Sequence, residues 1–241
     1  MLELSLKILE AVANSRSGMT VSDVYSMFGM PKSSASILLW TFVNLNYMTR
    51  DKAGFFHIGP KALEIGSHFV EYEEGYAYAG RVLDDLVKEV GETAHLGILN
   101  GTDVVYVCKS DCIHAVRMIS QIGKQVPAHA TALGKALLST KTDSEIRSMY
   151  KDKPLEQLTS NTIVSLDKLI KQLHQIRSEG FAMEREESTE GVSCIAIPLR
   201  GKIRGGAAAV SVSVPIIRLS EGLERFKKPL SEAGELIKSI L

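Results

Sequence analysis

Gly29–Gly59 reads GMPKSSASILLWTFVNLNYMTRDKAGFFHIG. Pro31 suits the first position of a helix. From Lys32 to Asn44 the apolar residues Ala35, Leu38, Leu39 and Phe42 recur at helical spacing. Asn46 then tolerates the left-handed conformation that ends a helix. Tyr47–Arg50 and Phe55–Ile58 flank the turn Asp51-Lys52-Ala53-Gly54, which reads as a β-hairpin. Upstream, Leu2–Ala13 has helical periodicity, with Leu2, Leu6, Leu9 and Ala13 as the expected buried face. Thr20 sits three residues before Asp23, an N-cap pattern for a short second helix through Met27 that Gly29 ends. Three short helices and a hairpin predict a winged helix-turn-helix, with the third helix in the recognition position.

Beyond it the pattern changes. Residues 61–80 carry an apolar and aromatic stripe of Leu63, Phe69, Tyr72 and Tyr76 among acids, the pattern of a connecting helix broken near Gly75 and Gly80. From 81 to 241, helical and strand-like segments alternate. Asn100-Gly101 marks a hairpin between Thr93–Leu99 and Asp103–Cys108. Ala115–Gln121 is a further candidate strand, as are 181–185, 192–199 and 206–214. Helical periodicity marks 130–139, 143–150, the stretch around Leu166–Ile176, and 220–240. The economical packing is an α+β layout, one sheet with helices on its faces. The expected division is 1–60, 61–80 and 81–241.

Composition narrows the classes. The chain has 241 residues, 45% hydrophobic and 23% charged, with Lys+Arg and Asp+Glu equal at 28 each. That is ordinary for a soluble folded protein, and no apolar run is long enough to span a bilayer. Acids among the first apolar residues argue against a signal peptide, and an odd set of cysteines (Cys108, Cys112, Cys194) argues for a reducing cytoplasm. The spacing Cys108-x3-Cys112-x-His114 is irregular for zinc, so no metal site is expected.

Nucleic-acid binding therefore needs a local patch. Residues 30–61 carry Lys32, Arg50, Lys52 and Lys61 against Asp51 alone, a net +3, while residues 1–29 carry −1. The candidate DNA-contacting set is Lys32, Ser33, Ser34 and Ser36 on the third helix, with Arg50 and Lys52 on the wing. Hydroxyls there bond phosphates or base edges, and the cations take phosphates. Serines also simply favour helix starts.

Three segments bear on a ligand site. In Val126–Thr140, VPAHATALGKALLST, small residues open a helix whose first amides are available to an anion. Plain packing and a catalytic pairing of Thr131 with His129 are the alternatives. Glu184 and Cys194 lie in strand-like runs, and Ser211 and Ser213 share one strand face, the signature of a lined pocket. Cys194 reads either as a small core residue or as a nucleophile served by His129.

Taken together, the segments resemble the IclR family of bacterial transcriptional regulators over nearly the whole chain. The matching motifs are Gly29-Met30-Pro31-Lys32-Ser33-Ser34, the wing Asp51-x-x-Gly54-x-Phe56-x-Ile58-Gly59, Gly91-Glu92-Thr93-Ala94-His95-Leu96, His129–Ala136, Ile176-Arg177-x-x-Gly180-Phe181-Ala182, Gly191-Val192-x-Cys194-Ile195-Ala196-x-Pro198 and Ala209–Ser213. The resemblance implies a winged helix-turn-helix, a linker helix and a C-terminal GAF-like α/β effector-binding domain. It also implies double-stranded DNA and a small carboxylate effector as partners, a homodimer or homotetramer, no cofactor and no catalysis. The family's effector pocket falls here on Met118, the Ala132 and Leu133 backbone, Glu184, Cys194, Ser211 and Ser213, with Val126 as added wall.

Two departures stand out. Ile37 replaces a frequent Arg, and Trp40 replaces a small residue on the same helical face. Both are expected either to meet bases or to pack, and the lost Arg keeps open a ligand sensor or interaction protein with weak or lost DNA binding. Glu184 stands where Asp is common, which points to a smaller effector.

Overall fold

The computed structural model describes residues 1–71, 74–200, 206–219 and 222–240, with backbone alone at 70, 71 and 74. The chain divides into two compact units that part between residues 72 and 73.

The first unit contains α1 (Leu2–Asn14), α2 (Val21–Phe28), α3 (Lys32–Asn44), β1 (Met48–Arg50), β2 (Phe56–Ile58) and α4 (Pro60–Glu71). Thr20 and Asp23 form a reciprocal capping box at α2. Gly29 ends that helix at φ 65, and Asn46 follows α3 at φ 61. The antiparallel hairpin pairs Thr49 with His57. Ile8, Val12, Val24, Ala35, Leu39, Met48 and Phe56 make one small core. α1 buries Ile8 and Val12, not the expected Leu2, Leu6 and Ala13. The helix is apolar on more than one side, and the β-branched stripe is the one that meets β2.

The second unit contains α5 (Glu74–Val90), β3 (Thr93–Asn100), β4 (Asp103–Ser110), β5 (Gln125–Pro127), α6 (Ala132–Leu138), α7 (Asp143–Met149), α8 (Leu166–Glu179), β6 (Ala182–Arg185), β7 (Val192–Leu199), β8 (Ala208–Pro215) and α9 (Lys227–Lys238). The strands form an antiparallel sheet in the order β5-β4-β3-β8-β7-β6. Side chains alternate across it. Val210 and Val212 pack with Leu83 of α5 and Leu230 of α9 on one face, whereas Ala196 and Ala209 pack with Leu133 of α6 and Leu173 of α8 on the other. The fold is thus the expected α+β layout.

Three local expectations fail. Residues 115–121 are not a strand. Two of their carbonyls go to side chains, Ser120 O accepting from Lys109 Nζ at 2.7 Å and Val116 O from Arg218 at 2.9 Å, and the edge strand forms later at β5. The helix does not break near Gly80: α5 runs through it, because Tyr76, Ala79, Leu83 and Leu86 make a continuous buried stripe that outweighs a cost of about 1 kcal/mol for the glycine. Near Gly75, α4 ends at Glu71 and α5 begins at Glu74, and the two residues between them lie outside the described residues. The last helix starts at Lys227, after a 3₁₀ turn at Glu224–Phe226; residues 220 and 221 of the expected span lie outside the described residues, as do Tyr72 and Glu73 of the connecting stripe.

Candidate functional site

In the first unit, Ala35 and Leu39 anchor α3 in the core, which turns Ser33, Ser36, Ile37 and Trp40 outward along one stripe. Lys32 and Ser33 are exposed, Ser34 and Ser36 half-buried, and Ile37 is 71% exposed. Of the two alternatives, Trp40 packs: its ring meets Phe56 edge-on at 6.1 Å, while 44% of the residue remains exposed. The Arg50 guanidinium lies over the Trp40 ring at 5.4 Å and near Phe56 at 5.7 Å, so a wing cation is stacked against α3. Lys52 is exposed at the hairpin tip. Asp51 is turned into the hairpin, where Oδ1 accepts from the Phe55 amide at 2.9 Å and Oδ2 pairs with His57 at 3.0 Å. These contacts hold its carboxyl below the usual range. The lone acid of this segment is thereby occupied, and the surface it leaves is cationic.

In the second unit, the polar residues form rows across the α6 face of the sheet. Register pairs Glu184 with Cys194, Cys194 with Ser213, and Ser213 with Thr93. The adjacent row pairs Ala196 with Ser211, Ser211 with His95, and His95 with Lys109. α6 seats closely over these rows. A side chain at Gly97 would collide with Leu133 and Val104, and one at Gly134 with the Ala128 backbone. Met118 and Val126 pack at the edge of the same core. All seven residues expected at the effector pocket lie in this layer: Met118, Ala132 and Leu133 in its apolar packing, and Glu184, Cys194, Ser211 and Ser213 on the sheet beneath α6.

Glu184 is buried; Oε2 accepts from the Glu187 amide at 2.8 Å, while Oε1 has no hydrogen-bond partner. Burial pushes its carboxyl up to about 7. The Cys194 thiol donates to Ser213 Oγ at 3.2 Å, and burial with Glu184 beside it pushes it well above the ordinary thiol range. Such a thiol is a poor nucleophile at neutral pH. His129 belongs to the fold: Nε2 bonds the Glu156 carbonyl at 2.9 Å and the ring meets Tyr150 edge-on. Thr131 caps α6 by accepting from the Gly134 amide at 2.9 Å. Cys108 donates to the Tyr76 carbonyl, whereas Cys112 bonds Thr93.

Sequence reasoning missed three features of this layer. Lys135 is completely buried and paired with Glu187, whose carbonyl accepts from Thr162 Oγ1 at 2.6 Å. His95, also completely buried, stacks on Tyr106 at 4.7 Å and bonds Ser120 Oγ at 2.7 Å. Arg218 holds Glu92 with two bonds of 2.6 Å.

Comparison with known proteins fixes what kind of chain carries these two sites. Residues 74–239 match the profile of the bacterial transcriptional regulator IclR C-terminal domain, and residues 2–52 match the IclR helix-turn-helix domain. The chain belongs to the IclR family. It is 32% identical over 238 residues to the HTH-type transcriptional repressor AllR of Salmonella paratyphi A, covering 98% of this chain and 85% of that protein. It superposes on the Thermotoga maritima IclR crystal structure with a TM-score of 0.75 at 28% identity, covering 99% and 97% of the two chains. An IclR homologue from Microbacterium hydrocarbonoxydans, crystallised with 4-hydroxybenzoate, shares the fold with a TM-score of 0.84 at 22% identity, covering 100% and 98%. This IclR chain is a transcriptional regulator with a helix-turn-helix DNA-binding domain and an effector-binding domain, in a family of regulators rather than enzymes.

Proposed function

We propose that this IclR regulator docks α3 and its wing on operator DNA through Lys32, Ser33, Ser34, Ser36, Ile37, Trp40, Arg50 and Lys52. A small carboxylate effector in the second unit, held at Ala132, Leu133, Glu184, Cys194, Ser211 and Ser213 against Met118, controls that docking. Residues 1–60, 61–80 and 81–241 serve as reader, connector and sensor. The observation that carries the effector reading is the unpartnered Glu184 Oε1, buried beside Cys194 and Ser213. A buried polar atom without a partner calls for one. With its proton held to about pH 7, Glu184 donates to a carboxylate that an ionised acid would repel. The repressor named among the relatives supports repression as the sense of regulation. Leu2 and Leu6 of α1 and Leu63 of α4 are exposed, which supports self-association of the first unit as a homodimer, with a tetramer as its further step. Among the described residues no helix is long and apolar enough to cross a membrane, consistent with action on DNA in the cytoplasm.

The test is a DNA-binding titration over operator-sized fragments, with a thermal-shift screen of small carboxylates alongside. The double variant Ser33→Ala/Ser34→Ala is expected to lose about tenfold or more in DNA affinity while its carboxylate response is unchanged. Undiminished DNA affinity would overturn the placement of α3. A ligand sensor without DNA binding is the second reading, favoured by the outward apolar Ile37; carboxylate binding with no salt-sensitive DNA binding by the parent chain would establish it.

A further inference from the structure

We propose that His95 is a ligand-contacting, specificity-determining residue of the second unit, which selects acids carrying a second oxygen, a hydroxyl or carbonyl beside the carboxylate. The inference rests on the effector reading and adds a residue outside the set above.

Its basis is geometric. His95 stands on β3 directly across from Ser211, on the α6 face of the sheet, beside the row that holds Ser213 and Cys194. The residue is completely buried. One flat side of its ring is occupied by Tyr106, with 30° between the planes, and Nε2 is occupied by Ser120 Oγ at 2.7 Å. Nδ1 is buried and has no hydrogen-bond partner. The ring is therefore pinned at two points with its third polar point unused, beside two serines. A histidine that served only the fold would be expected to spend both nitrogens within it.

Burial beside Lys109 keeps this imidazole neutral at physiological pH. A neutral ring offers one N–H and one lone pair. When Ser120 Oγ donates to Nε2, Nδ1 donates to a carbonyl; in the other tautomer Nδ1 accepts from a hydroxyl. A neutral group gains little from a bare carboxylate already held elsewhere, but discriminates a ligand that has an oxygen at this point from one that lacks it. Neighbouring strands lie about 4.8 Å apart. A carboxylate held at Ser211 and Ser213 therefore places an oxygen on its adjacent carbon within reach of β3, and a molecule of only a few heavy atoms spans the gap.

The two nitrogens can be separated by substitution. Gln places its terminal amide near the position of Nε2, and Asn places its amide near that of Nδ1. Full-length protein would be titrated calorimetrically with the pairs glycolate and acetate, and lactate and propionate. The parent chain is expected to prefer the hydroxy acid of each pair by about 3- to 10-fold, the worth of one neutral hydrogen bond. His95→Gln is expected to abolish the preference and leave acetate and propionate affinity unchanged. His95→Asn and Ser120→Ala are expected to keep the preference while speeding amide exchange in residues 111–124, which lose their bond to β3. An undiminished preference in His95→Gln, or its equal loss in Ser120→Ala, overturns the proposal. Equal affinity of the parent chain for both members of each pair overturns it and leaves the effector reading standing, whereas no binding of any acid overturns both. Because His95→Gln can fail to fold, the parent chain labelled with ¹⁵N-histidine gives a second measurement. The His95 Nδ1 resonance is expected to shift with glycolate and not with acetate, and an unmoved resonance overturns the assignment.

Discussion

The two units treat polar side chains in opposite ways. The first buries a small apolar core and turns its candidate contact residues outward, so that Lys32, Ser33, Ile37, Trp40 and Lys52 are all exposed. The second buries them, with Glu184, Cys194, Ser211, Ser213, His95 and Lys135 enclosed between sheet and helix. An exposed cationic stripe suits a large polyanion, whose phosphates need no desolvated pocket. A buried polar layer suits a small molecule that must be distinguished from water and from its near analogues. The difference has an energetic side. Changing an exposed contact residue costs binding and little stability, whereas changing a buried polar one costs stability first.

The largest expected effect tests that asymmetry. Lys135 and Glu187 form a buried pair across 52 residues of sequence. Lys135→Ala leaves the carboxylate uncompensated and is expected to destabilise the second unit by about 3–5 kcal/mol. Lys135→Met/Glu187→Leu is expected to recover most of that loss. The chain's one tryptophan, Trp40, lies in α3, so its fluorescence follows the first unit during denaturant unfolding while far-UV dichroism follows both. A loss below about 1 kcal/mol for Lys135→Ala would show that the layer tolerates an unpaired charge as a surface does.

Proton linkage tests the same contrast in the next range. Glu184 titrates at about 7 in the folded chain against an ordinary 4.5, so the folded state holds a proton that the unfolded state releases. Stability is thus lost as pH rises from 4.5 to 7. His95 titrates at about 4 against an ordinary 6.5, so the unfolded state takes up the proton first, and stability is lost as pH falls from 6.5 to 4. Each shift corresponds to something on the order of 3 kcal/mol, with opposite sign. Between pH 4.5 and 6.5 the two slopes offset each other. Relative to the parent chain, Glu184→Gln is expected to make the second unit's stability climb with pH across that window, and His95→Asn to make it fall. Parallel stability profiles for all three chains would show that neither group is as enclosed as its geometry implies.

Legibility in sequence follows the same division. The winged helix could be read because its determinants are local: the Thr20–Asp23 cap, Gly29, the Ala35–Leu39 spacing and the Asp51–Gly54 turn each act within a few residues. In the second unit the existence of most strands was readable, and Ser211 with Ser213 on one face follows from alternation alone. What alternation cannot supply is register between distant strands, which sets Thr93 against Ser213 and His95 against Ser211. A signal for His95 was present in Thr93-x-His95-x-Gly97, polar and small residues alternating through an otherwise apolar strand, as in β8. Residues 115–121 misled for the complementary reason. Their pattern suits a strand, but Lys109 and Arg218 take two of the carbonyls, those of Ser120 and Val116, that a neighbouring strand could have used. The Lys135–Glu187 pair left no local trace, since nothing near Lys135 in sequence announces a carboxylate.

The smallest expected effects lie on the wing, where two cations two residues apart divide the roles. Lys52 is exposed at the tip, so Lys52→Ala is expected to leave first-unit stability within about 0.5 kcal/mol. The same substitution should lower the slope of log affinity against log salt by about 1, the share of one phosphate contact. Arg50 stacks on Trp40 and lies near Phe56, so Arg50→Lys keeps the charge and loses the planar contact. It is expected to leave the salt slope unchanged while costing the first unit about 0.5–1 kcal/mol. Denaturant unfolding followed by Trp40 fluorescence and a salt series of DNA titrations separate the two. If Lys52→Ala were instead to leave the salt slope unchanged, the tip would make no phosphate contact and the wing would meet DNA along its flank, through Arg50.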